Sequence, residues 1–211
     1  MPYNPFDPLF EDLPEVIPIF PLEETLLLPR GELPLNIFEP RYLEMVSDAL
    51  KTNRLIGIMQ PEFKTGCVGR IVRFEEAQDG RYLINLRGLC RFRLGPIDTT
   101  RPSTSYQCAY VRWDEFSQDM ARVGCLGIDK SYLKTLLRQY FCLHGLSINW
   151  QLVDEVGDDG LFTTLAMVCP LPASEKQALL EASDCKDRAN LLVKLLEMAL
   201  QSGSTPTTRS H

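Results

Sequence analysis

The chain has 211 residues, of which 45% are hydrophobic and 24% are charged. This composition is typical of a globular chain with one or two domains and excludes a largely disordered polypeptide. Its 28 acidic residues outnumber its 22 lysines and arginines, and the resulting net charge of -6 argues against general binding to nucleic-acid phosphates. The longest apolar runs are far shorter than the roughly 20 residues that cross a bilayer.

The beginning of the chain and its cysteines indicate a cellular compartment. The opening sequence MPYNPFDPLFEDLPE lacks a basic region and is interrupted by prolines, so a secretory signal is not expected. The seven cysteines are odd in number and include no Cys-x-x-Cys pair, which argues against a disulfide framework and against a zinc site. We therefore expect reduced thiols and a cytoplasmic location.

The composition divides the chain into two ends and two central parts. Residues 1–14 are rich in proline and acid, and residues 201–211 are small and polar, so both are predicted to be flexible tails. Residues 15–116 contain alternating, strand-like patterns, whereas residues 117–200 have apolar side chains at helical spacing. Strands followed by helices predict an α+β fold.

Four apolar segments of the first half alternate with a period of two and predict strands, namely residues 54–60, 66–76, 81–94 and 105–113. The proline-interrupted stretch after Glu15 predicts short strands and bends. Asp79-Gly80 lies between two of the strands, where a short turn that needs positive φ favours this dipeptide, so a hairpin is expected. Gly88 and Gly95 predict a bulge or corner of the kind that a closing barrel uses.

Six segments have helical features. Residues 40–51 place Tyr42, Met45, Val46, Ala49 and Leu50 on one face and begin with proline, which predicts an amphipathic helix. The next helix is predicted by an apolar stripe from Ile128 to Phe141 with a stop at Gly145, and a short one by the apolar cluster from Trp150 to Val156. A cap at Asp159 precedes a helix that carries Leu161, Phe162, Leu165 and Val168. The last two helices are predicted by a Ser174–Gln177 capping box and by a cap at Asp184.

The residue patterns of common catalytic sites are absent from the sequence. It contains no phosphate-binding glycine loop, no Gly-x-Ser-x-Gly and no His-Glu-x-x-His, so no catalytic residue, cofactor or metal is predicted. His144 lies at a predicted helix end, where a capping role is favoured over catalysis. Cys67, Cys90 and Cys108 lie in apolar strands as small hydrophobic residues. An enzyme that uses a cysteine or His144 is therefore a lesser alternative.

Arginines are concentrated in one part of the sequence. Eight of them and four acids lie between Arg70 and Arg112, so this segment has a net charge of +4 and the remainder -10. Arg91 and Arg93 alternate with apolar residues, which predicts a guanidinium-lined sheet face. The favoured interpretation is a solvated outer face paired with acids from the helices. The alternatives are a surface for carboxylate-bearing peptides and, less favoured because of the acidic pI, an RNA-binding surface.

Several ordered motifs together resemble the amino-terminal, substrate-binding domain of Lon proteases. They are residues 17–22 (IPIFPL), 33–42 (LPLNIFEPRY), 54–57 (RLIG), 66–71 (GCVGRI), 79–82 (DGRY), 86–92 (LRGLCRF), 171–172 (LP), 176–181 (KQALLE) and 184–196. The resemblance covers roughly residues 15–200. It implies a PUA-like pseudo-barrel β domain at 15–116 and a helical subdomain at 117–200.

The resemblance also implies a function. In a complete Lon protease an ATPase module and a Ser/Lys peptidase follow this domain, and this sequence ends at His211 before either, so a stand-alone bacterial protein without ATP hydrolysis or proteolysis is expected. Its expected role is to bind unfolded or peptide segments of other proteins, in association with a protease or chaperone. The candidate binding residues are Phe38, Glu39, Arg41 and Tyr42, for which a purely structural corner is an equally good interpretation. Arg70, Arg91 and Arg93 are added from the arginine-rich segment.

Overall fold

The computed structural model describes residues 6–100, 104–121, 130–146 and 158–203. The strands of these residues are β1 (Val16–Pro21), β2 (Glu32–Ile37), β3 (Leu55–Met59), β4 (Thr65–Glu76), β5 (Tyr82–Ile97) and β6 (Cys108–Arg112). The helices are α1 (Pro40–Lys51), α2 (Lys130–Leu143), α3 (Asp158–Val168), α4 (Ala173–Glu181) and α5 (Cys185–Gly203), with short 3₁₀ helices at Phe10–Asp12 and Asp114–Met120. Except for α1, the helices follow the strands, so the predicted α+β class is confirmed.

The strands form one mixed sheet in the order β2-β5-β4-β3-β1-β6. Strands β1 and β3 are parallel, and the other pairs are antiparallel. Strand β6 pairs with β1 and also with the second half of β5. This double pairing closes a circuit of five strands in the order β5-β4-β3-β1-β6. Strand β2 lies outside the circuit and pairs with the first half of β5.

Two glycines allow β5 to take part in three pairings. The β4–β5 register shifts beside Gly88, and the β5–β6 register shifts beside Gly95. A Cβ atom on Gly88 would lie 2.1 Å from the carbonyl oxygen of Leu28, and one on Gly95 would lie 2.9 Å from that of Tyr110. Side chains at these bulges would therefore collide with neighbouring backbone. Both predicted irregularities, and the β4–β5 hairpin with Gly80 at φ +81°, are confirmed.

The buried apolar side chains form two cores. The inner core contains Ile17, Ile19, Leu55, Val68, Cys90, Phe92, Val111 and Trp113, from the strands of the circuit, with Leu13 and Phe116 from the flanking segments. The outer core fills the space between the sheet and the helices and includes Met45, Ile56, Ile71, Leu86, Leu137, Phe162, Leu179, Leu192 and Leu196. Successive side chains of the central strands point to opposite faces of the sheet and thus contribute to different cores.

Helix α1 spans the residues that its periodicity predicts. Tyr42, Met45, Val46 and Ala49 are buried, and Leu50 is half-buried against the outer core. Each of the larger side chains contributes about 1.5–3 kcal/mol on burial, before the entropy of ordering is subtracted. Pro40 occupies the first turn, where backbone N–H groups have no acceptor within the helix, so the absence of an N–H in proline costs no helical hydrogen bond.

Some helix predictions need correction. Tyr132 and Val168 belong to the predicted apolar stripes but are exposed. The Ser174–Gln177 capping box is absent, because α4 already begins at Ala173 after Pro172 and makes no side-chain cap bond. The cap at Asp184 is confirmed by a 2.8 Å hydrogen bond from the Asp187 amide to Oδ1 of Asp184. The cluster from Trp150 to Val156 and the start of the α2 stripe at Ile128 lie outside the described residues.

Residues 6–14, which the sequence assigns to a flexible tail, make specific contacts with the sheet. Leu13 is buried in the inner core, and Phe10 packs against it. The carbonyl of Pro14 accepts a 3.1 Å hydrogen bond from the indole nitrogen of Trp113. The carboxylate of Asp7 forms an ion pair with Arg87. At the other end, α5 continues to Gly203.

Candidate functional site

The turn from β2 into α1 carries the first group of candidate residues. Phe38 is 65% exposed, whereas the ring of Tyr42 is buried with its centroid 4.1 Å from that of Phe20. Nη2 of Arg41 lies 2.7 Å from Oε2 of Glu39, and the Arg41 guanidinium carbon lies 4.6 Å from the centroid of the Tyr42 ring. Tyr42 therefore anchors the turn, while Phe38 and the Glu39–Arg41 pair are presented at the surface.

Strand register brings the β4–β5 hairpin to the same end of the sheet. Ile37 is opposite Tyr82, so Phe38 directly follows the last paired residue of β2. Phe74 and Leu83 are each 40% exposed, and the Phe74 and Tyr82 ring centroids are 5.0 Å apart. We call Phe38, Phe74, Tyr82 and Leu83 the apolar corner.

The apolar corner extends over both faces of the sheet. Phe74 is opposite the buried Ile84 and shares its face, whereas Leu83, the neighbour of Ile84, points to the other face. The sequence contained a signal for this arrangement in the three consecutive apolar residues from Tyr82 to Ile84, which cannot all face one core in a strand. The candidate list taken from the sequence nevertheless omitted Phe74, Tyr82 and Leu83.

Two pairs of charges lie beside the apolar corner, and two exposed acids, Glu75 and Glu76, are opposite its residues Leu83 and Tyr82. Nε of Arg81 lies 2.7 Å from Oδ2 of Asp79, and Arg41 is paired with Glu39. The turn carboxyl of Asp79 accepts hydrogen bonds from the backbone and side chain of Arg81, and these lower its pKa. The charges of Glu39, Arg41, Asp79 and Arg81 thus form two compact pairs, while Phe38, Phe74 and Leu83 remain exposed.

Arg91 is not available at the surface. Its side chain is 4% exposed and forms a bidentate ion pair with Asp119, with both nitrogen–oxygen distances at 2.8 Å. Its Nη1 atom also donates to the carbonyls of Leu180, at 3.0 Å, and Ala182, at 2.6 Å, at the end of α4. The predicted alternation of β5 is correct, but helix α4 covers this face, so Arg91 joins the sheet to the helices instead of binding a ligand.

Arg93 belongs to a neighbouring polar cluster. It hydrogen-bonds Thr65 and lies 3.1 Å from a carboxylate oxygen of Glu115. Oγ1 of Thr65 donates a 2.7 Å hydrogen bond to Glu181, and the charge of Arg93 is 3.7 Å from the same carboxylate. Burial alone would raise the pKa of Glu181, but the hydrogen bonds and Arg93 outweigh it and lower that pKa. Arg93 is therefore also engaged by acids of its own chain.

Arg70 and Arg87 are opposite each other on β4 and β5, and both face Asp7. Arg87 donates to both carboxylate oxygens, and Nη1 of Arg70 lies 3.9 Å from Oδ1. The three side chains are 15–17% exposed. Acids thus pair with all four arginines, but the arginines lie on two faces of the sheet: Arg70 and Arg87 are on the face of Leu55, and Arg91 is on the opposite face with Cys67. The acids come from the amino-terminal segment, a 3₁₀ helix and α4, so the prediction of a single guanidinium-lined face is wrong.

The described free thiols are buried, except for the exposed Cys142. Cys67, Cys90 and Cys169 are buried, and burial raises the pKa of Cys90 and of Cys169 to about 12 and that of Cys67 as well. The thiolate that acts as a nucleophile is therefore disfavoured. His144 is exposed at the end of α2, with its ring centroid 4.3 Å from that of Tyr140. Cys185 is disulfide-bonded, so the expectation of reduced thiols is wrong for this residue.

Within the residues that the structure describes, no group of three or more histidine, cysteine or acidic side chains is placed to hold a metal ion. None of the helices in these ranges is both long enough and apolar enough to span a membrane.

The fold is similar to that of solved domains. A crystal structure of a Lon N-terminal domain protein from Xanthomonas campestris superposes with a TM-score of 0.57 at 23% identity, over 85% of this chain and 97% of that one. The N-terminal domain of a Mycobacterium avium complex Lon protease gives a TM-score of 0.55 at 17% identity, over 86% and 98%.

Sequence comparisons give the family. Lon protease 2 of Myxococcus xanthus is 29% identical over 201 residues, which cover 88% of this chain and 24% of the relative. The Lon protease of Dictyoglomus thermophilum is 29% identical over 206 residues, or 90% and 25%. The chain thus spans about a quarter of the length of these relatives. The model of the ATP-dependent protease La (LON) substrate-binding domain, which is not a catalytic domain, matches residues 16–198, and the chain belongs to this family.

Proposed function

We propose that this chain holds unfolded or peptide segments of other proteins through the apolar corner, without modifying them. The single observation that carries the proposal is the exposure of Phe38, Phe74 and Leu83 at one end of the sheet. Exposed large apolar side chains that gather at one end of a sheet, here on both of its faces, are candidates for an interaction site. Membership of the Lon substrate-binding domain family supports the same general role.

The chemistry of the apolar corner favours unfolded segments over folded partners. Folded proteins bury most of their large apolar side chains, whereas unfolded chains expose them. Covering aromatic and aliphatic surface stabilises a complex by about 25 cal/mol per Å² of apolar area removed from water, with little demand on sequence. The charges of Glu39–Arg41 and Asp79–Arg81 are satisfied within the pairs, whereas the exposed Glu75 and Glu76 add negative charge beside Leu83 and Tyr82. Apolar segments that are not acidic are therefore favoured.

Strand addition is a less favourable mode at this end of the sheet. The described pairing of β2 involves one of its edges, the one that faces β5. Pro34, in the middle of β2, has no N–H to donate to a strand on the other edge. Proline in an edge strand is a common protection against such pairing. We therefore assign recognition to the side chains of the apolar corner and not to the backbone of β2.

The two alternatives from the sequence receive less support. RNA binding would use the arginine face, but Arg91 is buried and Arg70, Arg87 and Arg93 face carboxylates of the same chain. An enzyme based on cysteine would need an accessible thiol with a lowered pKa, whereas the buried thiols have raised pKa values. Any cleavage of the held segment is therefore assigned to a separate peptidase.

The proposal is tested by fluorescence anisotropy with a labelled, reduced and carboxymethylated protein that cannot fold. Phe38→Ser should weaken binding about tenfold, because a central aromatic contact is commonly worth more than about 1.4 kcal/mol. Val168→Ser is the matched control, since Val168 is 63% exposed but lies on α3, in the helical half. Equal affinities for the wild type and the Phe38 variant would refute the proposal, as would an equal loss in the control.

A further inference from the structure

The amino-terminal segment 6–13 resembles a docked peptide more than an element of the fold. The described part of the chain contains no strand that pairs with it. It also lies outside residues 16–198, which match the family model. Its described secondary structure is one short 3₁₀ turn, Phe10–Asp12, and Phe6 and Leu9 remain exposed. The segment is thus attached by side-chain contacts and not by strand pairing.

Three features attach this segment to the sheet. The carboxylate of Asp7 accepts two hydrogen bonds from Arg87 and faces Arg70. Phe10, three residues later, packs against the inner core, and Leu13, three residues after that, is buried in it. The segment is therefore held by one carboxylate and two apolar anchors at regular spacing, which is a common composition for a linear recognition motif.

The receiving surface requires an anion. Arg70 and Arg87 are directly opposite each other on adjacent strands, where two like charges destabilise a sheet. Glu32 is opposite Arg87 on its other side, but its carboxylate accepts a 2.8 Å hydrogen bond from Asn85. The carboxylate of Asp7 thus neutralises an arginine pair, and a guanidinium that contacts both oxygens of a carboxylate is a strong and directional arrangement.

We propose that Arg70 and Arg87 form a binding site for an acidic, apolar peptide segment of another protein, and that residues 6–13 occupy this site in the free chain. The partner carries an aspartate or glutamate followed by apolar residues at positions three and six. Its binding requires release of the chain's own segment. This site is separate from the apolar corner and does not depend on it.

The test uses the full chain and a fluorescein-labelled synthetic peptide with the sequence of residues 3–14 (YNPFDPLFEDLP) as the probe. The variant Asp7→Asn loosens the chain's own segment without changing its size. Anisotropy titration should show the probe bound about tenfold more tightly by this variant than by the wild type, because the tethered competitor is weakened. The control is Asp12→Asn, an exposed acid of the same segment, which should behave like the wild type.

The probe itself provides a measurement that is independent of protein folding. A second peptide with asparagine in place of its first aspartate should bind Asp7→Asn about tenfold more weakly than the original probe, and the difference should shrink as salt rises. Equal binding of the two peptides would overturn the proposal, because no carboxylate site would then exist. Equal binding of the original probe by the wild type and Asp7→Asn, or no binding by either, would also overturn it.

Discussion

Arg91 shows how one residue joins the two halves of the molecule. Its guanidinium is buried between the strand that carries it, Asp119 and the carbonyl end of α4. A cation at the carboxyl end of a helix interacts favourably with the helix dipole. A second buried arginine, Arg188, donates to the carbonyl of Leu179, and burial together with the charge of Arg91 lowers its pKa to about 10.

Replacing Arg91 by methionine should destabilise the protein strongly. The apolar side chain keeps most of the volume but leaves the Asp119 carboxylate buried without its partner, which costs about 3–5 kcal/mol. Urea unfolding followed by circular dichroism measures this loss. Arg73→Met, at an exposed position of β4, should stay within about 0.5 kcal/mol of the wild type. A loss at Arg91 no larger than at Arg73 would mean that the guanidinium is not the link described.

The buried thiols predict a loss of stability at alkaline pH. The pKa of Cys90 and of Cys169 is raised from 9.0 to about 12, so the folded protein retains protons that the unfolded chain releases. Their stabilisation is complete below pH 9 and declines between pH 9 and 12, at about 1.4 kcal/mol per pH unit for each thiol. The free energy of unfolding measured across this range checks the slope. Cys90→Ala should make this decline with pH less steep. An unchanged slope would show that Cys90 does not retain its proton in the folded protein above pH 9.

The sequence predicted the alternation around Arg91 but not its role. Strand periodicity places Arg91 and Arg93 on the face opposite Cys90 and Phe92, which is what the structure has. The carbonyls that cover Arg91 belong to Leu180, Ala182 and Ser183, which follow it in the chain by 89, 91 and 92 positions. A contact between such distant segments leaves no local pattern, so the sequence could not distinguish a solvated face from one covered by a helix.

Among the helices and strands, predictions from local sequence patterns are correct where the same residues also make the packing or turn contacts. Helix α1 and the β4–β5 hairpin follow from apolar spacing and from Asp79-Gly80. The predicted capping box is absent because the side chain of Gln177 makes other hydrogen bonds. Its amide donates to Glu181 at 2.8 Å and to the carbonyl of Thr65 at 3.2 Å, and it accepts a hydrogen bond from Gln60. Tertiary hydrogen bonds of this kind outweigh a three-residue motif.

The two helix starts therefore predict different mutational costs. Asp184→Ala should destabilise the protein by about 1 kcal/mol, because it removes the side-chain acceptor of the Asp187 amide. Ser174→Ala should change stability by less than about 0.5 kcal/mol, since α4 has no side-chain cap bond at its start. Thermal unfolding of the two variants measures the difference. Equal losses would indicate that Ser174 caps α4 after all.

At the scale of the whole molecule, structural and exposed residues are separated along the sheet. Polar contacts between β3–β5 and helix α4 involve Gln60, Thr65, Arg91 and Arg93 and join the two halves. The apolar corner lies where β2 ends and β4 and β5 meet in their hairpin. Of the candidate binding residues named from sequence, Phe38, Glu39 and Arg41 lie at this corner, whereas Tyr42 and Arg91 are buried.

Hydrogen–deuterium exchange with and without a saturating, permanently unfolded polypeptide locates the surface that holds the polypeptide. Amide exchange should slow in residues 36–39, 72–76 and 81–84, with little change in α2 and α5. Protection confined to the helical half, or no protection at the apolar corner while the polypeptide is bound, would show that the apolar corner is not the binding surface.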